Sequence, residues 1–404
     1  MLSGTRVLDL TGEPGFLAGK MLAEIGADVI KLEPPGGDRK GRRAPYLGDV
    51  EDPERSLPWL ALNTSKRGIT LELHARAGVE LFKRLVRKVD VVLETFAPGT
   101  LTELGLGYET LSAENPRLIH CALSAFGQSG PYAHYRAHDL TLVALGGNAA
   151  MTGPPDRPPV RCSLPTAYFH ASAEAAVGVA MALYARENTG RGQLVDVSMH
   201  EVQLSTLVTG AGGYALSGRL GRRAGPRLGR TREIWKAKDG YVSFGLRSGM
   251  ARIPNLVATV EYMGENGMAP EWLRKYDWSS YNHNTVTQAE IERLEEAFGA
   301  FFASRSMREL YEAALERRIM LAPCNNAHEI LEQPQLRHRE LFVTLEYPEL
   351  GASIEHPGFF ARSSTTQIGI RCRAPRVGEH NAEIYGELGL DQADLATLSH
   401  DGVV

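Results

Sequence analysis

The side chains best suited to ligand chemistry are four basic residues in one turn-rich segment, 33–43, which reads EPPGGDRKGRR. This segment directly follows a predicted strand, and ligands of open α/β sheets bind beyond the carboxyl ends of the strands. Guanidinium and ammonium groups form charge-assisted bonds to phosphate oxygens. The segment therefore predicts a site for a phosphate-rich ligand, with a solvated surface loop as the alternative interpretation.

A second loop that could bind a ligand, TGEPG at 11–15, lies between the first predicted strand and the first predicted helix. Backbone amides at a helix N-terminus can hold a pyrophosphate, and Glu33 follows the second strand, where dinucleotide-binding proteins place an acidic ribose contact. The loop nevertheless lacks the GxGxxG spacing of those proteins. We therefore interpret its glycines as turn formers.

Short apolar segments that alternate with amphipathic segments predict the framework behind these loops. Helices are predicted over 16–25 and 75–87, and strands over 6–10, 28–33, 68–73, 90–93 and 118–123. Strands that alternate with helices form parallel sheets with right-handed crossovers. The first part of the chain is therefore predicted to be an α/β domain with a parallel sheet.

The remainder of the chain has a different pattern. Small and apolar residues occupy every face of a predicted helix over 172–186, which indicates burial within a domain or at a subunit contact. Six arginines and several glycines interrupt any periodicity over 218–232, as is typical of a linker. One strand (241–244) and two amphipathic helices (288–304 and 307–318) follow. A chain of 404 residues is long enough for two such domains.

Composition disfavours several classes of protein. The 44 Lys and Arg residues nearly balance the 48 Asp and Glu residues, so we expect no nucleic-acid or anionic-membrane partner. No stretch reaches the roughly 18 apolar residues that a membrane span requires, and no signal peptide is apparent, so a cytoplasmic location is expected. The cysteines show no CxxC spacing, which predicts neither a disulfide framework nor a metal site; they are Cys121, Cys162, Cys324 and Cys372.

Seven segments, taken in order and spacing, resemble family III of the CoA-transferases. This carnitine and bile-acid-inducible group also contains formyl-CoA transferase and α-methylacyl-CoA racemase. The resemblance covers nearly the whole chain. Its segments are GADVIKLEPPGGD (26–38), NTSKRGITLEL (63–73), PGTLTELGLGYETLSAENPRLIHCALSAFGQSGPY (98–132), DRPPVR (156–161), GRGQLVDVSMHE (190–201), KDGYV (238–242) and GEHNAEIYGELGL (378–390).

The resemblance implies a Rossmann-like large domain, a smaller α/β domain inserted late, and a C-terminal segment that returns to the large domain. We accordingly expect the large domain over 1–217, the small domain with its linker over 218–330, and the returning segment over 331–404. In this family two chains interlock as a dimer. The resemblance also implies coenzyme A or an acyl-CoA as substrate, with no metal. By motif, its phosphates would be contacted by Arg42 (with Arg43), Lys66 and Arg136.

One departure from the family pattern concerns the catalytic position. Transferases of this family carry an aspartate whose carboxylate attacks the acyl-CoA thioester. Counting from PVR at 159–161 and from AAVG at 175–178 reaches the same residue, Tyr168. A tyrosine with a pKa of about 10 is protonated at neutral pH and cannot form the mixed anhydride that the exchange requires. Tyr168 is therefore not expected to act as the nucleophile.

The dipeptide His138-Asp139 lies where racemases of this superfamily carry a His-Asp pair. In those enzymes the histidine removes the proton next to the thioester carbonyl, a role suited to a side chain that titrates near neutrality. They also use a carboxylate at the position of Tyr168 for the opposite face. The alternative is that His138 packs or caps at a helix start.

Three functions follow as hypotheses. The first is a non-catalytic subunit of a heteromeric CoA-transferase, such as succinyl-CoA:benzylsuccinate CoA-transferase, that moves CoA between an acyl-CoA and a carboxylic acid and pairs with an aspartate-bearing paralogue. The second is an acyl-CoA racemase, isomerase or lyase that uses His138. The third is a CoA-binding or scaffold protein without chemistry. The expected assembly is a homodimer or a heterodimer with a paralogous subunit, and the first hypothesis requires the heterodimer.

Overall fold

Six short apolar segments form one parallel sheet, in the spatial order β3-β2-β1-β4-β5-β6. The pairing places Leu8 of β1 opposite Ile30 of β2 on one side and Val92 of β4 on the other. The strand order reverses between β1 and β4, and ligands of open α/β sheets bind at such switch points. The strands are β1 (Arg6–Leu10), β2 (Asp28–Glu33), β3 (Arg67–Thr70), β4 (Val91–Glu94), β5 (Ile119–Ser124) and β6 (Leu194–Ser198).

The computed structural model describes residues 1–404, apart from the side chains of Val208, Thr209 and Ala211. The further strands are β7 (Arg227–Leu228), β8 (Thr231–Arg232), β9 (Ile234–Lys236), β10 (Tyr241–Phe244), β11 (Leu321–Pro323), β12 (Phe342–Tyr347) and β13 (Ala352–Pro357). The α-helices are α1 (Phe16–Glu24), α2 (Leu57–Leu62), α3 (Arg76–Val86), α4 (Thr100–Glu103), α5 (Tyr108–Glu114), α6 (Asp139–Leu145), α7 (Asn148–Met151), α8 (Thr166–Thr189), α9 (Met199–Ser205), α10 (Val208–Ser217), α11 (Ile253–Glu265), α12 (Glu271–Arg274), α13 (Gln288–Ala303), α14 (Met307–Arg317), α15 (Ala327–Leu331), α16 (Pro334–His338), α17 (Asn381–Gly386) and α18 (Gln392–His400).

The parallel sheet belongs to a first compact unit, which comprises residues 1–149, 161–220 and 335–404. Alternate residues of its strands bury apolar side chains on opposite faces of the sheet, as period-2 patterning requires. Helices α1 and α8 contribute to the core on one face, while α3 and α5 contribute to the core on the other. This packing fixes the carboxyl ends of the strands, where the loops of the candidate site begin.

Helix α8 is longer than the sequence predicted, and only part of its apolar surface is buried. Small residues such as Ala171 and Ala175 are fully buried against the sheet side. A Cβ atom at Gly178 would lie 2.9 Å from Cγ1 of Val195 on β6, so the absence of a side chain permits this close approach. Met181 and Tyr184, by contrast, are exposed.

The C-terminal segment packs on the rest of the first unit. The backbone N–H of Ser65 donates to the carbonyl oxygen of Cys372 at 2.9 Å. The Tyr385 hydroxyl donates to the carbonyl oxygen of Thr70 at 2.6 Å. These contacts cover the strand β3 edge of the parallel sheet.

The second compact unit comprises residues 150–160 and 221–334. Strands β9, β10 and β11 form a three-stranded antiparallel sheet with β10 at its centre. Helices α11, α13 and α14 supply most of the apolar residues packed with this sheet, and Phe244 stacks on Phe298 with ring centroids 5.6 Å apart. None of the helices described in either unit is long and apolar enough to span a bilayer.

Candidate functional site

A cavity of about 840 Å³ lies in the first unit, at the carboxyl ends of β1, β2, β3 and β4. This is the edge at which the strand order reverses. The cavity is large enough for a sizeable organic ligand. Its lining comprises Leu10, Thr11, Gly12, Glu13, Pro14, Lys31, Leu32, Pro34, Gly37, Asp38, Arg39, Lys40, Leu71, Glu72, Leu73, His74, Thr95, Phe96, Ala137, His138 and Tyr168.

The loop after β1 is held tightly at the floor of this cavity. The Asp9 carboxylate oxygen Oδ1 accepts hydrogen bonds from the backbone N–H and the hydroxyl of Thr11, at 2.9 and 2.6 Å. The N–H of Gly12 donates to the Thr95 hydroxyl at 2.7 Å, which ties the loop to the one after β4. A Cβ atom at Gly15 would lie 2.6 Å from Cγ2 of Thr11, so the turn excludes a side chain there. The loop thus makes a tight turn at Gly15, which agrees with the interpretation of its glycines as turn formers.

Lys66 lies inside the fold beneath this loop. It is 1% exposed, and its Nζ donates to Asp9 Oδ2 and Asn63 Oδ1 at 2.8 Å and to the Phe16 carbonyl at 3.0 Å. Burial lowers the pKa of Lys66 to about 8, against the opposing attraction of Asp9. All three ammonium protons are therefore committed to protein acceptors, and none is presented to a phosphate in the predicted way.

Asp9 accordingly sits in a cluster of opposite charge. Burial acts to raise the pKa of Asp9, but Lys31 and Lys66 outweigh it and hold the value below the ordinary range. Lys31 Nζ also donates to the carbonyl oxygen of Thr11 at 2.6 Å. The two lysines therefore hold the Asp9 side chain, which accepts hydrogen bonds from the loop. Lys31 also binds the loop backbone.

Arg42 is buried as completely as Lys66. It is 1% exposed, and its Nε and Nη2 donate to the two oxygens of Glu33 at 2.8 and 2.9 Å. Its Nη1 donates to Glu54 at 2.9 Å, and the guanidinium stacks 3.8 Å from the centroid of the Trp59 ring. This predicted phosphate contact is therefore also enclosed by protein groups.

Arg39 and Lys40, from the same basic segment, line the cavity and are exposed. Among the residues described, neither side chain has a hydrogen-bond or ion-pair partner. Both were part of the predicted phosphate-binding segment, but the family motif selected their neighbour Arg42 instead. The sequence does not distinguish the exposed Arg39 and Lys40 from the buried Arg42, because all three lie in the same turn-rich segment.

Tyr168 and His138 also line the cavity. The Tyr168 hydroxyl accepts a hydrogen bond from the backbone N–H of Asp139 at 3.1 Å. Burial raises the pKa of Tyr168, so the phenol is protonated at neutral pH. His138 is exposed and immediately precedes α6, which agrees with either predicted role, a base or a helix-start residue.

Asp139 and Arg136 do not join this cavity. Asp139 is buried, and its Oδ1 accepts from the backbone N–H of Ala167 at 2.8 Å, which satisfies one of the first amides of α8. It thereby positions the start of the helix that carries Tyr168. Arg136 is exposed and lies outside the set of lining residues.

A carboxylate that the sequence reasoning missed lies close to Tyr168. Glu13, from the loop after β1, lines the cavity and pairs with both Nε and Nη2 of Arg43, the Nε contact being 3.0 Å. The pairing leaves this carboxylate engaged by a guanidinium. Its only sequence signal was its place within the TGEPG loop. No group of three or more His, Cys, Asp or Glu that could hold a metal occurs among the described residues.

The chain matches the model of CoA-transferase family III over residues 2–381. It belongs to CoA-transferase family III. It is 36% identical to succinyl-CoA:(R)-benzylsuccinate CoA-transferase subunit BbsE of Thauera aromatica, over 99% of this chain and 97% of that protein. It is 34% identical to succinyl-CoA–D-citramalate CoA-transferase of Chloroflexus aurantiacus, over 100% of this chain and 98% of that protein.

Solved structures of the family share this fold. The crystal structure of a CAIB/BAIF family protein from Brucella suis superposes with a TM-score of 0.83 at 28% identity, and covers 96% of this chain and 99% of that chain. The predicted family and the predicted α/β fold with a parallel sheet are thereby confirmed. The match of Tyr168 to the family's catalytic aspartate, the phosphate contacts and the interlocked dimer stay predictions.

Proposed function

We propose that this chain is a non-catalytic subunit of a heteromeric family III CoA-transferase. In this proposal the assembly moves CoA between an acyl-CoA, such as succinyl-CoA, and a carboxylic acid. An aspartate-bearing paralogue supplies the nucleophile, and the two chains interlock as a dimer. Coenzyme A enters as part of the substrate, with no metal involved.

The observation that carries the proposal is the protonated phenol of Tyr168 on the cavity lining, at the position matched to the family's aspartate. The exchange needs a carboxylate that attacks the thioester carbon and expels the CoA thiolate, which gives a mixed anhydride. The thiolate then attacks the enzyme's own carbonyl carbon in that anhydride, so that the first acid leaves as a carboxylate and CoA stays on the enzyme as a thioester. A phenol whose pKa is raised by burial does not supply that group. The neighbouring carboxylates are engaged as well, because Glu13 pairs with Arg43 and Asp139 accepts a backbone N–H.

The basic residues on the cavity lining support binding of the nucleotide part of CoA. Arg39 and Lys40 are exposed cations on the lining, and His74 lies on the same lining. Cations of this kind form charge-assisted bonds with phosphates. In the proposal they take the role that the sequence motif had given to Arg42 and Lys66. The naming of the Thauera aromatica relative as a subunit agrees with a heteromeric assembly.

The test compares the chain alone with the chain co-purified with an aspartate-bearing paralogue. Each preparation is incubated with succinyl-CoA and a panel of organic acids, and new acyl-CoA products are measured by chromatography. We expect turnover only from the pair, and its loss when the paralogue's aspartate is replaced by asparagine. Robust turnover by the purified chain alone would contradict a non-catalytic role.

A second function is favoured by one specific observation, that His138 and Tyr168 line the same cavity. An imidazole and a protonated phenol that line one cavity could remove an α-proton from an acyl-CoA and return one, as a racemase or isomerase does. Incubation with a chiral 2-methylacyl-CoA in deuterated water tests this function. Bound ligand without exchange of the α-proton excludes it. Failure to bind either CoA or succinyl-CoA would instead indicate a scaffold protein without chemistry.

A further inference from the structure

The basic segment after β2 contains one buried arginine among exposed cations, and that arginine is tied to the loop that carries them. Glu33 Oε1 accepts both the Arg42 Nε at 2.8 Å and the backbone N–H of Asp38 at 2.9 Å. The N–H of Arg42 in turn donates to the carbonyl oxygen of Asp38 at 2.9 Å. The Glu33 carboxylate therefore binds this segment at two points, Asp38 and Arg42.

Asp38 connects the Glu33–Arg42 pair to the turn that carries the exposed cations. Its Oδ1 accepts the backbone N–H of Lys40 at 3.0 Å, within the turn that presents Arg39 and Lys40 to the cavity. Gly37, with φ of +86°, begins the turn, and a Cβ atom there would lie 3.5 Å from Cδ of Arg42 and 2.8 Å from Val377. The turn is thus fitted against the buried guanidinium.

Arg42 also anchors the loop to two other parts of the first unit. Its Nη1 donates to Glu54, whose other oxygen accepts the N–H of Val377 at 3.1 Å. Its Nη2 donates at 3.1 Å to the carbonyl oxygen of Pro375, which the Trp59 indole N–H contacts at 2.9 Å. The guanidinium therefore joins three chain segments, a task for a planar fork of donors that an ammonium cannot perform.

We propose that Arg42 is a positioning residue, which holds loop 34–41 in the shape that presents Arg39 and Lys40 to ligand phosphates. The inference rests on the proposed function, because it takes the phosphates to be those of CoA. Replacing a buried ion pair by apolar groups is often neutral for stability, so stability alone does not explain the pair. A fixed loop that carries two unpaired cations does explain it.

The competing interpretation is that Arg42 itself contacts phosphate when a ligand arrives and leaves Glu33. The two interpretations predict opposite effects of Glu33→Gln. If Arg42 is a phosphate ligand restrained by Glu33, removal of the negative charge frees it and strengthens CoA binding. If Arg42 is a positioning residue, the same change loosens the loop and weakens binding, although the site becomes more positive.

The experiment uses the full chain and titrates CoA by calorimetry against the wild type, Glu33→Gln and Arg42→Lys. The matched control is Arg55→Lys, a nearby arginine paired with Asp52 and outside the cavity lining. We expect a dissociation constant about tenfold higher in both test variants, equivalent to the loss of one charge-assisted contact. The control is expected to bind as the wild type does.

Hydrogen exchange on the ligand-free variants gives a second readout that does not depend on CoA. We expect faster exchange at the amides of Asp38 and Lys40 in Glu33→Gln than in the wild type. The melting temperatures of both proteins are measured as well. Unchanged exchange at these amides overturns the positioning role, and so does tighter CoA binding. If the wild type does not bind CoA, the CoA-binding part of the proposed function fails, while the exchange data still decide the role of Arg42.

A milder variant covers the case in which Glu33→Gln does not fold. Glu54→Gln removes only the charged acceptor of Nη1. The Glu54 side chain is 31% exposed, so we expect a smaller loss of stability than for Glu33→Gln. We expect weaker CoA binding and faster amide exchange in the same direction as for Glu33→Gln. Binding and exchange equal to those of the wild type in this folded variant would overturn the proposal.

Discussion

Two pairs of basic residues near the cavity have the same side-chain chemistry and opposite environments. Arg42 and Lys66 are each 1% exposed and are bonded to carboxylates, whereas Arg39 and Lys40 are exposed and have no side-chain partner among the described residues. The first pair fixes the loops that begin at the carboxyl ends of the strands. The second pair is carried by one of those loops. This contrast agrees with the proposed division, in which one pair supports the site and the other pair contacts the ligand.

The sharpest difference between the pairs is expected in stability. Lys66→Met leaves Asp9 buried without one of its partners, and we expect the free energy of unfolding to fall by about 3–5 kcal/mol. Lys40→Met is the matched control and should change it by less than about 0.5 kcal/mol. Urea denaturation followed by fluorescence measures both. Equal free energies of unfolding for the two variants would contradict the expected difference between the buried Lys66 and the exposed Lys40.

The reverse difference is expected in ligand binding. The double variant Arg39→Ala/Lys40→Ala should weaken CoA binding by about tenfold or more at low salt, and by less at high salt, because exposed charges are screened. Its melting temperature should stay at the wild-type value. Arg55→Ala serves as the matched control in the same titration series. CoA affinity that does not respond to the double variant would assign the phosphates to other residues.

A smaller effect is expected at Tyr168, on the cavity lining. Tyr168→Phe removes the hydroxyl that accepts the Asp139 N–H, and we expect a loss of about 1 kcal/mol in the free energy of unfolding. CoA affinity, which the proposed function assigns to Arg39 and Lys40, should change little. A large loss of CoA affinity in Tyr168→Phe would show that the Tyr168 hydroxyl contributes to CoA binding.

The last expected effect depends on pH and concerns the C-terminal segment that contacts Arg42 through Pro375. Burial acts to raise the pKa of Glu379, but the Arg373 side chain and the Arg376 N–H outweigh it and lower the pKa from 4.5 to about 2. The ionised form therefore stabilises the fold fully above pH 4.5, and this contribution is lost as the pH falls towards 2. Melting temperatures of the wild type and Glu379→Gln should differ at pH 6 and converge over that range. A constant difference would contradict the assignment.

Much of the sheet could be predicted from local patterns. The strands predicted over 6–10 and 28–33 coincide with β1 and β2, and the helix over 75–87 agrees with α3 to within one residue at each end. These elements bury apolar residues at regular spacing, so local sequence carries the signal. Strand β6 was not predicted, and its first residues are largely exposed, which leaves a weak apolar pattern.

The roles of single side chains could not be predicted in the same way. Arg42 and Lys66 were matched to phosphate contacts by motif, yet Glu33, Glu54 and Asp9 enclose them through contacts across 9 to 57 residues of sequence. Glu13 was overlooked because its partner Arg43 lies 30 residues away. Such pairings depend on how the loops fold back over the strand ends.

By itself the sequence determined the α/β class, the family and the absence of an aspartate at position 168, because each depends on residue types and their spacing along the chain. Only the tertiary structure decided which basic residues are enclosed and which face the cavity. The reason is physical: the cost of burying a charge is offset only by partners in space, and those partners come from strands and loops that are distant in sequence. For Arg39, Lys40, Arg42 and Lys66, position in the fold thus separates residues that the motif grouped together.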